Sequence, residues 1–333
     1  MTQRVFVYEY TCAVPGSPGA EPLRAEGTAM LEAVLEDFTS VPHVVVSTLC
    51  DARDEETEFR RSARSADCAF VIAPETNGIL AQRAAWAVEE HCPLLGPPPE
   101  VIEHCADKLA LARTWQKAGV LTPDTQQWTG AAPAGRKNVI IKPRDGAGCE
   151  ATYTTLLGPG GNREHAAQAS DSLPHLLARR AHGQSERDDL IVQPRIAGLA
   201  ASVAFLIGPS CSLPLLPCAQ RIEPIGNRLE YRGGSAPLQP VLADRAVRIA
   251  TQAIDAVPGL FGYVGVDVVL GDDGRDWAIE INPRMTTSYI GLRRLFRGNL
   301  MEALLQVVAG RLPELVWSNH RVAFTADGQV TVS

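Results

Sequence analysis

Two apolar, β-forming runs, residues 261–270 and 277–282, each carry a carboxylate in their interior and are separated by Gly271-Asp272-Asp273-Gly274. That arrangement predicts a β-hairpin, because glycine and aspartate supply the turn conformations that join two strands directly. If Gly271 pairs with Asp276, then Asp267 falls opposite Glu280, since both lie the same number of residues back from the turn. The two-residue period of a strand sets Asn282 on the same face as Glu280. Three oxygen ligands then share one patch. A carboxylate inside an apolar strand is costly unless something compensates its charge, and a hard cation such as Mg²⁺, shared with phosphate oxygens, suits two acids and an amide. A salt bridge to Arg284, or a solvent-facing carboxylate, is the other reading of the same residues.

Other segments supply groups for holding phosphate. Lys142 ends the β-branched run 139–142 and is followed by Pro143-Arg144-Asp145-Gly146-Ala147-Gly148, whose backbone N–H groups can approach an anion closely. Lys108 opens a helix expected over 107–118 and is a second candidate cation, its alternative being an ordinary exposed helix lysine. Residues 146–151, Gly-Ala-Gly-Cys-Glu-Ala, match the dinucleotide fingerprint G-x-G-x-x-[GA]. That fingerprint needs a helix to begin within it, whereas 151–157 is β-branched and aromatic and reads as a strand. A glycine-rich hairpin over phosphates fits better, and the Walker A pattern is absent.

The 333 residues exceed one comfortable core, so two or three subdomains sharing a cleft are expected. Strand-like runs at 5–8, 44–49 and 68–73 alternate with helical ones at 26–38, 54–64 and 79–90, which predicts a small parallel α/β domain. The proline-rich stretch 92–99 ends it, near residue 100. Residues 158–189 turn polar and read as a lid insertion. A formal net charge of -7 argues against nucleic-acid or anionic-membrane partners. No run approaches the roughly 20 apolar residues of a membrane span, and the start lacks a signal peptide's pattern, so a cytoplasmic protein is expected. The eight cysteines show no metal-site or CxxC spacing and read as reduced thiols.

In chain order, Lys108, Ile141-Lys142-Pro143 with its glycine loop, Val192-Gln193-Pro194-Arg195-Ile196, and Asp267 through Glu280-Ile281-Asn282-Pro283-Arg284 resemble the ATP-grasp superfamily over roughly residues 100–310. The resemblance implies an α/β and α+β chain, an ATP-grasp fold preceded by an open parallel α/β pre-ATP-grasp domain. It divides the chain into 1–100, 101–195 with the phosphate loop and lid, and 196–333 with the metal site. It implies ATP with Mg²⁺, or Mn²⁺ in its place. Lys108 and Lys142, with Gly146 and Gly148, would meet the nucleotide phosphates, and Gln193 and Ile196 the adenine. Asp267, Glu280 and Asn282 would hold metal, while Arg284 and Lys142 would act on the transferred phosphoryl group. The family's usual ribose-binding acid has no counterpart in Gly198-Leu199-Ala200-Ala201-Ser202.

Val7-Tyr8-Glu9-Tyr10, the segment 25–31 with Asp37-Phe38, and above all Asn282-Pro283-Arg284-Met285-Thr286-Thr287-Ser288-Tyr289-Ile290-Gly291-Leu292 resemble the tyramine-glutamate ligase family of methanofuran biosynthesis. The resemblance implies small-molecule substrates: glutamate, through its γ-carboxyl, and tyramine or a related aromatic amine. Thr286, Thr287 and Ser288 would bind the carboxylates of the amino acid, or else end the strand and cap the next helix. Tyr8, Glu9, Tyr10, Glu75 and Tyr289 are candidates for the amine's apolar wall and for an acid facing its ammonium, with packing or turn roles as the alternative. Another amino-acid or peptide ligase, and a nucleotide sensor without turnover, are the competing readings. Homo-oligomer formation stays open.

Overall fold

The computed structural model describes residues 2–14, 16, 23–128, 138–146, 152–156 and 190–333. The N-terminal unit comprises β1 (Gln3–Glu9), a single helical turn α1 (Tyr10–Ala13), α2 (Arg24–Ser40), β2 (Val44–Thr48), α3 (Glu55–Arg64), β3 (Cys68–Ile72) and α4 (Ile79–Glu89). Its three strands are parallel in the order β2-β1-β3. Apolar residues on both faces of β1 explain its central place. Val5 and Val7 point toward Met30, Leu31, Val34 and Phe38 of α2, and Phe6 and Tyr8 toward Phe59 and Trp86 on the other side.

Proline at the start of α5 (Pro99–Ala106) suits a position whose N–H needs no helical partner. Asp107 separates it from α6 (Lys108–Lys117) and caps that helix, its Oδ1 accepting from the N–H groups of Leu109 at 3.1 Å and Ala110 at 3.0 Å. The remaining strands are β4 (Gln126–Gln127), β5 (Asn138–Pro143), β6 (Tyr153–Leu156), β7 (Leu190–Pro194), β8 (Gly198–Ile207), β9 (Ser212–Pro214), β10 (Cys218–Ile225) and β11 (Arg228–Ala236). After α7 (Pro240–Asp255) come β12 (Gly262–Gly271), β13 (Asp276–Asn282), α8 (Ser288–Leu295), α9 (Leu300–Val308), β14 (Val322–Thr325) and β15 (Val330–Val332). Their main order is β13-β12-β8-β10-β11-β6-β5-β7-β4.

That order holds two strand groups, β13 to β11 and β6 to β4, joined where Arg228 pairs with Tyr153. The nucleotide-sized cavity described below lies between them. Behind it, the apolar face of α7, with Ala246, Ile249 and Ala253, covers Val264, Val266 and Val268 of β12. Trp115 of α6 joins the same core and donates its indole N–H to Ala253 O at 3.0 Å. On the opposite face, Leu206 and Tyr263 share one core with α8, α9 and the Val5 face of the N-terminal unit. No helix among the described residues is long and apolar enough to cross a membrane.

Candidate active site

The hairpin forms, but its turn is one residue tighter than expected. Leu270, not Gly271, pairs with Asp276, and Gly271 N–H donates to Arg275 O at 2.8 Å. A β-bulge at Ile279 then absorbs the extra residue: Val268 pairs with Ala278, and Asp267 with Glu280. The acids therefore face each other as the sequence pattern implies, through a bulge that the pattern does not reveal. Gly265 pairs with Asn282 one step further on. The bulge also lets two consecutive residues, Ile279 and Glu280, line the same cavity.

Around this pair the polar contacts are specific. Asn282 Nδ2 donates to Asp267 Oδ2 at 3.2 Å, and Gln220 Nε2 of β10 donates to Asp267 Oδ1 at 2.8 Å. Lys142 Nζ donates to Glu280 Oε2 at 3.3 Å; Lys108 Nζ lies 3.9 Å from the same oxygen and donates to Gly146 O at 2.8 Å. Burial, reinforced by the charge of Glu280, pushes the Asp267 carboxyl well above the usual carboxylate range. Burial opposes ionisation of Glu280 too, but Lys142 and Lys108 outweigh it and hold that carboxyl below its ordinary value. For Lys108, burial pulls the ammonium down.

Lys108, Lys142, Gln220, Asp267 and Glu280 line a cavity of about 360 Å³, in the range of small-molecule sites, and Asn282 reaches it only through its bond to Asp267. Gly146, Gln193 and Ile196 line it as well, and Ile140, Ile222 and Leu229 supply an apolar wall. Gln193 is buried, its Nε2 donating to Thr125 Oγ1 at 2.7 Å. The acids on the lining are Asp145, Asp267 and Glu280, none of them in the stretch after Gly198 where the family's ribose-binding acid would lie. Gly148, Cys149 and the expected lid 158–189 lie outside the described residues.

Asp267, Glu280 and the amide oxygen of Asn282 offer only oxygen donors, and two carboxylates facing each other in a low-dielectric setting are stabilised by a cation. The residues present thus fit Mg²⁺ or Mn²⁺. Among the described residues no cluster of three His, Cys, Asp or Glu side chains could hold a metal ion.

Arg284 departs from this cavity. Beyond Pro283 its guanidinium reaches the N-terminal unit, where Nη2 donates to Glu75 Oε2 at 3.0 Å and Nη1 to Met285 O at 3.0 Å. It borders a second, smaller cavity of about 40 Å³ together with Glu9, Glu26 and Gly27. The three hydroxyls behind it already have partners: Thr287 Oγ1 donates to Glu26 Oε1, and the Thr286 and Ser288 hydroxyls lie 2.9 Å apart. Thr287, at the cap position of α8, makes no side-chain capping bond. The tyrosines expected as an amine wall turn elsewhere. Tyr8 and Tyr10 sit in the N-terminal core, with Tyr8 donating to Glu55, and Tyr289 is buried with its hydroxyl donating to Asp37.

The sequence does not single out Gln220 or Glu26. Gln220 lies on a strand whose charges hide its pattern, and Glu26 looks like any acid in the first turn of a helix.

Residues 105–288 match the ATP-grasp domain family, and residues 28–102 match the pre ATP-grasp 3 domain. Over 106 residues the chain is 36% identical to a tyramine–L-glutamate ligase of Methanocaldococcus jannaschii and 34% identical to that of Methanocaldococcus fervens. Each stretch covers 32% of this chain, and about a third of the length of the relatives, 32% and 34% respectively. An ATP-grasp superfamily protein of Archaeoglobus fulgidus superposes with a TM-score of 0.68 at 22% identity, covering 97% of this chain and 92% of that one. An L-amino acid ligase of Bacillus licheniformis gives 0.64 at 15% identity, covering 97% and 79%. At such identities the structures speak for the fold alone, and the fold is that of ATP-grasp proteins with a pre-ATP-grasp domain. Since the family match over 105–288 runs along more than half of its length, the chain belongs to the ATP-grasp family.

Proposed function

We propose that the chain is an ATP-dependent carboxylate–amine ligase that works through an acyl phosphate, joining the γ-carboxyl of glutamate to tyramine or a related aromatic amine in the assembly of a methanofuran-type cofactor. The observation that carries the nucleotide half is the facing Asp267–Glu280 pair beneath Lys142 and Lys108, in a cavity of about 360 Å³. Support for the substrates comes from the 106-residue match to tyramine–L-glutamate ligases.

In this reading the apolar wall and Gln193 seat the base, and Lys108, Lys142 and the Gly146 backbone hold the phosphates. Mg²⁺ on Asp267, Glu280 and Asn282 would neutralise charge on the phosphoryl oxygens. An oxygen of the γ-carboxylate attacks the γ-phosphorus and ADP leaves. The amine nitrogen then attacks the acyl carbon, phosphate leaves, and the nitrogen loses its proton. Lys142 would meet developing charge on the moving group, and Arg284, Thr286, Thr287 and Ser288 are the candidates for holding the amino acid.

The test incubates purified protein with Mg²⁺-ATP, glutamate and a panel of aromatic and aliphatic amines, reading ADP release and product by mass spectrometry. A γ-glutamyl amide of tyramine is expected. An α-linked product, or preference for an aliphatic amine, overturns the substrate assignment; no ADP with any acid overturns the ligase reading.

A further inference from the structure

The larger cavity holds an amide whose orientation is set by a neighbour outside its lining. Gln193 borders the cavity, and its side chain stands beside Thr125, just ahead of β4. In the register of β4 with β7, Gln126 pairs with Val192 and Gln127 with Ile191. One step further on, Thr125 falls opposite Gln193, so the two side chains share a face. Both residues are buried, Gln193 at 4% exposure and Thr125 at 8%.

A threonine hydroxyl has one hydrogen to give. Thr125 gives it to Pro123 O at 2.9 Å, so toward Gln193 its oxygen can only accept, and Gln193 Nε2 donates to it at 2.7 Å. Turning the amide over would set Gln193 Oε1 against an oxygen with no hydrogen left, two acceptors in contact out of water. The amide is therefore held one way round. Among the described residues its Oε1 accepts no hydrogen bond. An unpaired acceptor on a cavity wall calls for a donor from the ligand.

We propose that Thr125 is a positioning residue for base selection: by holding the Gln193 amide with its oxygen toward the cavity, it admits a purine that carries an amino group at C6 and rejects one that carries a keto oxygen there. The amino group donates to Oε1, whereas a keto oxygen meets it acceptor against acceptor. A glutamine free to turn would relieve that clash by presenting Nε2, and so would read either base. The bond chain from Gln193 through Thr125 to Pro123 O removes that freedom. The proposal rests on the nucleotide half of the reading above and adds to it a residue that does not touch the ligand.

Calorimetry on the full chain would compare Mg²⁺-ATP with Mg²⁺-ITP, whose base has a keto oxygen in place of the amino group, on wild type, Thr125→Val and Thr125→Ser. Wild type is expected to bind ATP at least about thirty-fold more tightly than ITP. Thr125→Val keeps the shape and frees the amide, so ITP should bind at least about ten-fold more tightly than to wild type while ATP affinity does not rise. Thr125→Ser keeps the hydroxyl and should keep the wild-type preference. Contacts to the rest of the base are common to all three proteins, so the change between variants isolates the amide. A purely structural role for Thr125 would weaken both nucleotides alike; that result, a smaller wild-type preference, or a serine variant that behaves like the valine one overturns the proposal. Should Thr125→Val not fold, a crystal structure of wild type with Mg²⁺ and a non-hydrolysable ATP analogue decides. The amino nitrogen of the base should lie within about 3.2 Å of Gln193 Oε1, and an amino group bonded elsewhere overturns the assignment. Binding of neither nucleotide overturns the nucleotide reading and this proposal with it, whereas equal binding of both leaves that reading standing and removes only this one.

Discussion

Glu280 has two jobs in this arrangement, and a substitution can separate them. Its Oε2 accepts from Lys142, and its charge offsets two buried ammonium groups. Glu280→Gln keeps the shape and an acceptor for Lys142 while removing the charge that the proposed metal site would use. Turnover should fall by about two orders of magnitude with folding intact, as expected when one ligand of a charge-stabilising site is lost; activity within threefold of wild type would remove Glu280 from the metal set. Lys142→Ala should instead weaken ATP binding and slow single-turnover phosphoryl transfer together if Lys142 holds phosphate as proposed, and among the described residues it leaves Glu280 paired with the more distant Lys108 alone. Equal nucleotide affinity in variant and wild type would count against the phosphate role. Both residues are legible in the sequence itself, since a carboxylate or lysine amid β-branched neighbours demands an explanation. Gln220 is not: a neutral amide in a charged strand raises no such demand, and only the pairing of β10 with β8 brings it to Asp267.

The same contrast runs through the elements. Strands β1, β3, β5, β12 and β13 are legible to within two residues, because their apolar runs are continuous. The hairpin of β10 and β11 is hidden: Arg221, Glu223, Arg228, Glu230 and Arg232 line it with exposed ion pairs and dilute its apolar period. The bulge at Ile279 is hidden as well, since one extra residue leaves no mark on composition. Helix α6 shows how much one cap can decide. Asp107 accepts from two helix N–H groups, and Arg144 Nε donates to it at 2.7 Å, tying the start of the helix, and Lys108 with it, to the phosphate loop. Asp107→Ala should destabilise the fold by about 1–2 kcal/mol at pH 7 and raise KM for ATP. Burial works against ionisation of Asp107, but Arg144 and the N–H groups of Ala110 and Leu109 outweigh it and hold its carboxyl below the ordinary value. Its contribution is therefore complete above about pH 4, the unfolded value, and is lost as pH falls through the lower folded value. Urea unfolding of both proteins should show a constant gap from about pH 5 to 7 that narrows below about pH 4; a gap that persists there would assign the effect to something other than this carboxylate.

The smaller cavity bordered by Glu9, Glu26 and Arg284 exists only if the N-terminal unit is held against the ATP-grasp body, since the two acids come from one and Arg284 from the other. Part of that hold is apolar, the core shared by Val5, Met30, Tyr263 and Leu304. Part is a clamp on Asp37 of α2: Arg293 Nε donates to it at 2.9 Å, the Tyr289 hydroxyl donates to it, and Asn299 Nδ2 donates to its backbone oxygen at 2.7 Å. Tyr289 resembles a substrate contact in the sequence because it follows the metal strand closely, yet helix α8 turns it into this junction. The hydrogen bond to Asp37 raises the Arg293 guanidinium above its ordinary value. Asp37→Ala leaves Arg293 only its contact with the exposed Glu36 at 2.9 Å, so the loss should be smaller than the about 3–5 kcal/mol of a buried pair broken on one side. Replacing the pair together, Asp37→Leu with Arg293→Met, removes the unpaired charge and should recover most of that loss. If the clamp couples the units, the single variant should unfold in two steps, the N-terminal unit first, and should raise KM for the amine-bearing substrate more than KM for ATP. A single transition within about 1 kcal/mol of wild type, with both constants unchanged, would show that the shared apolar core alone keeps the units together.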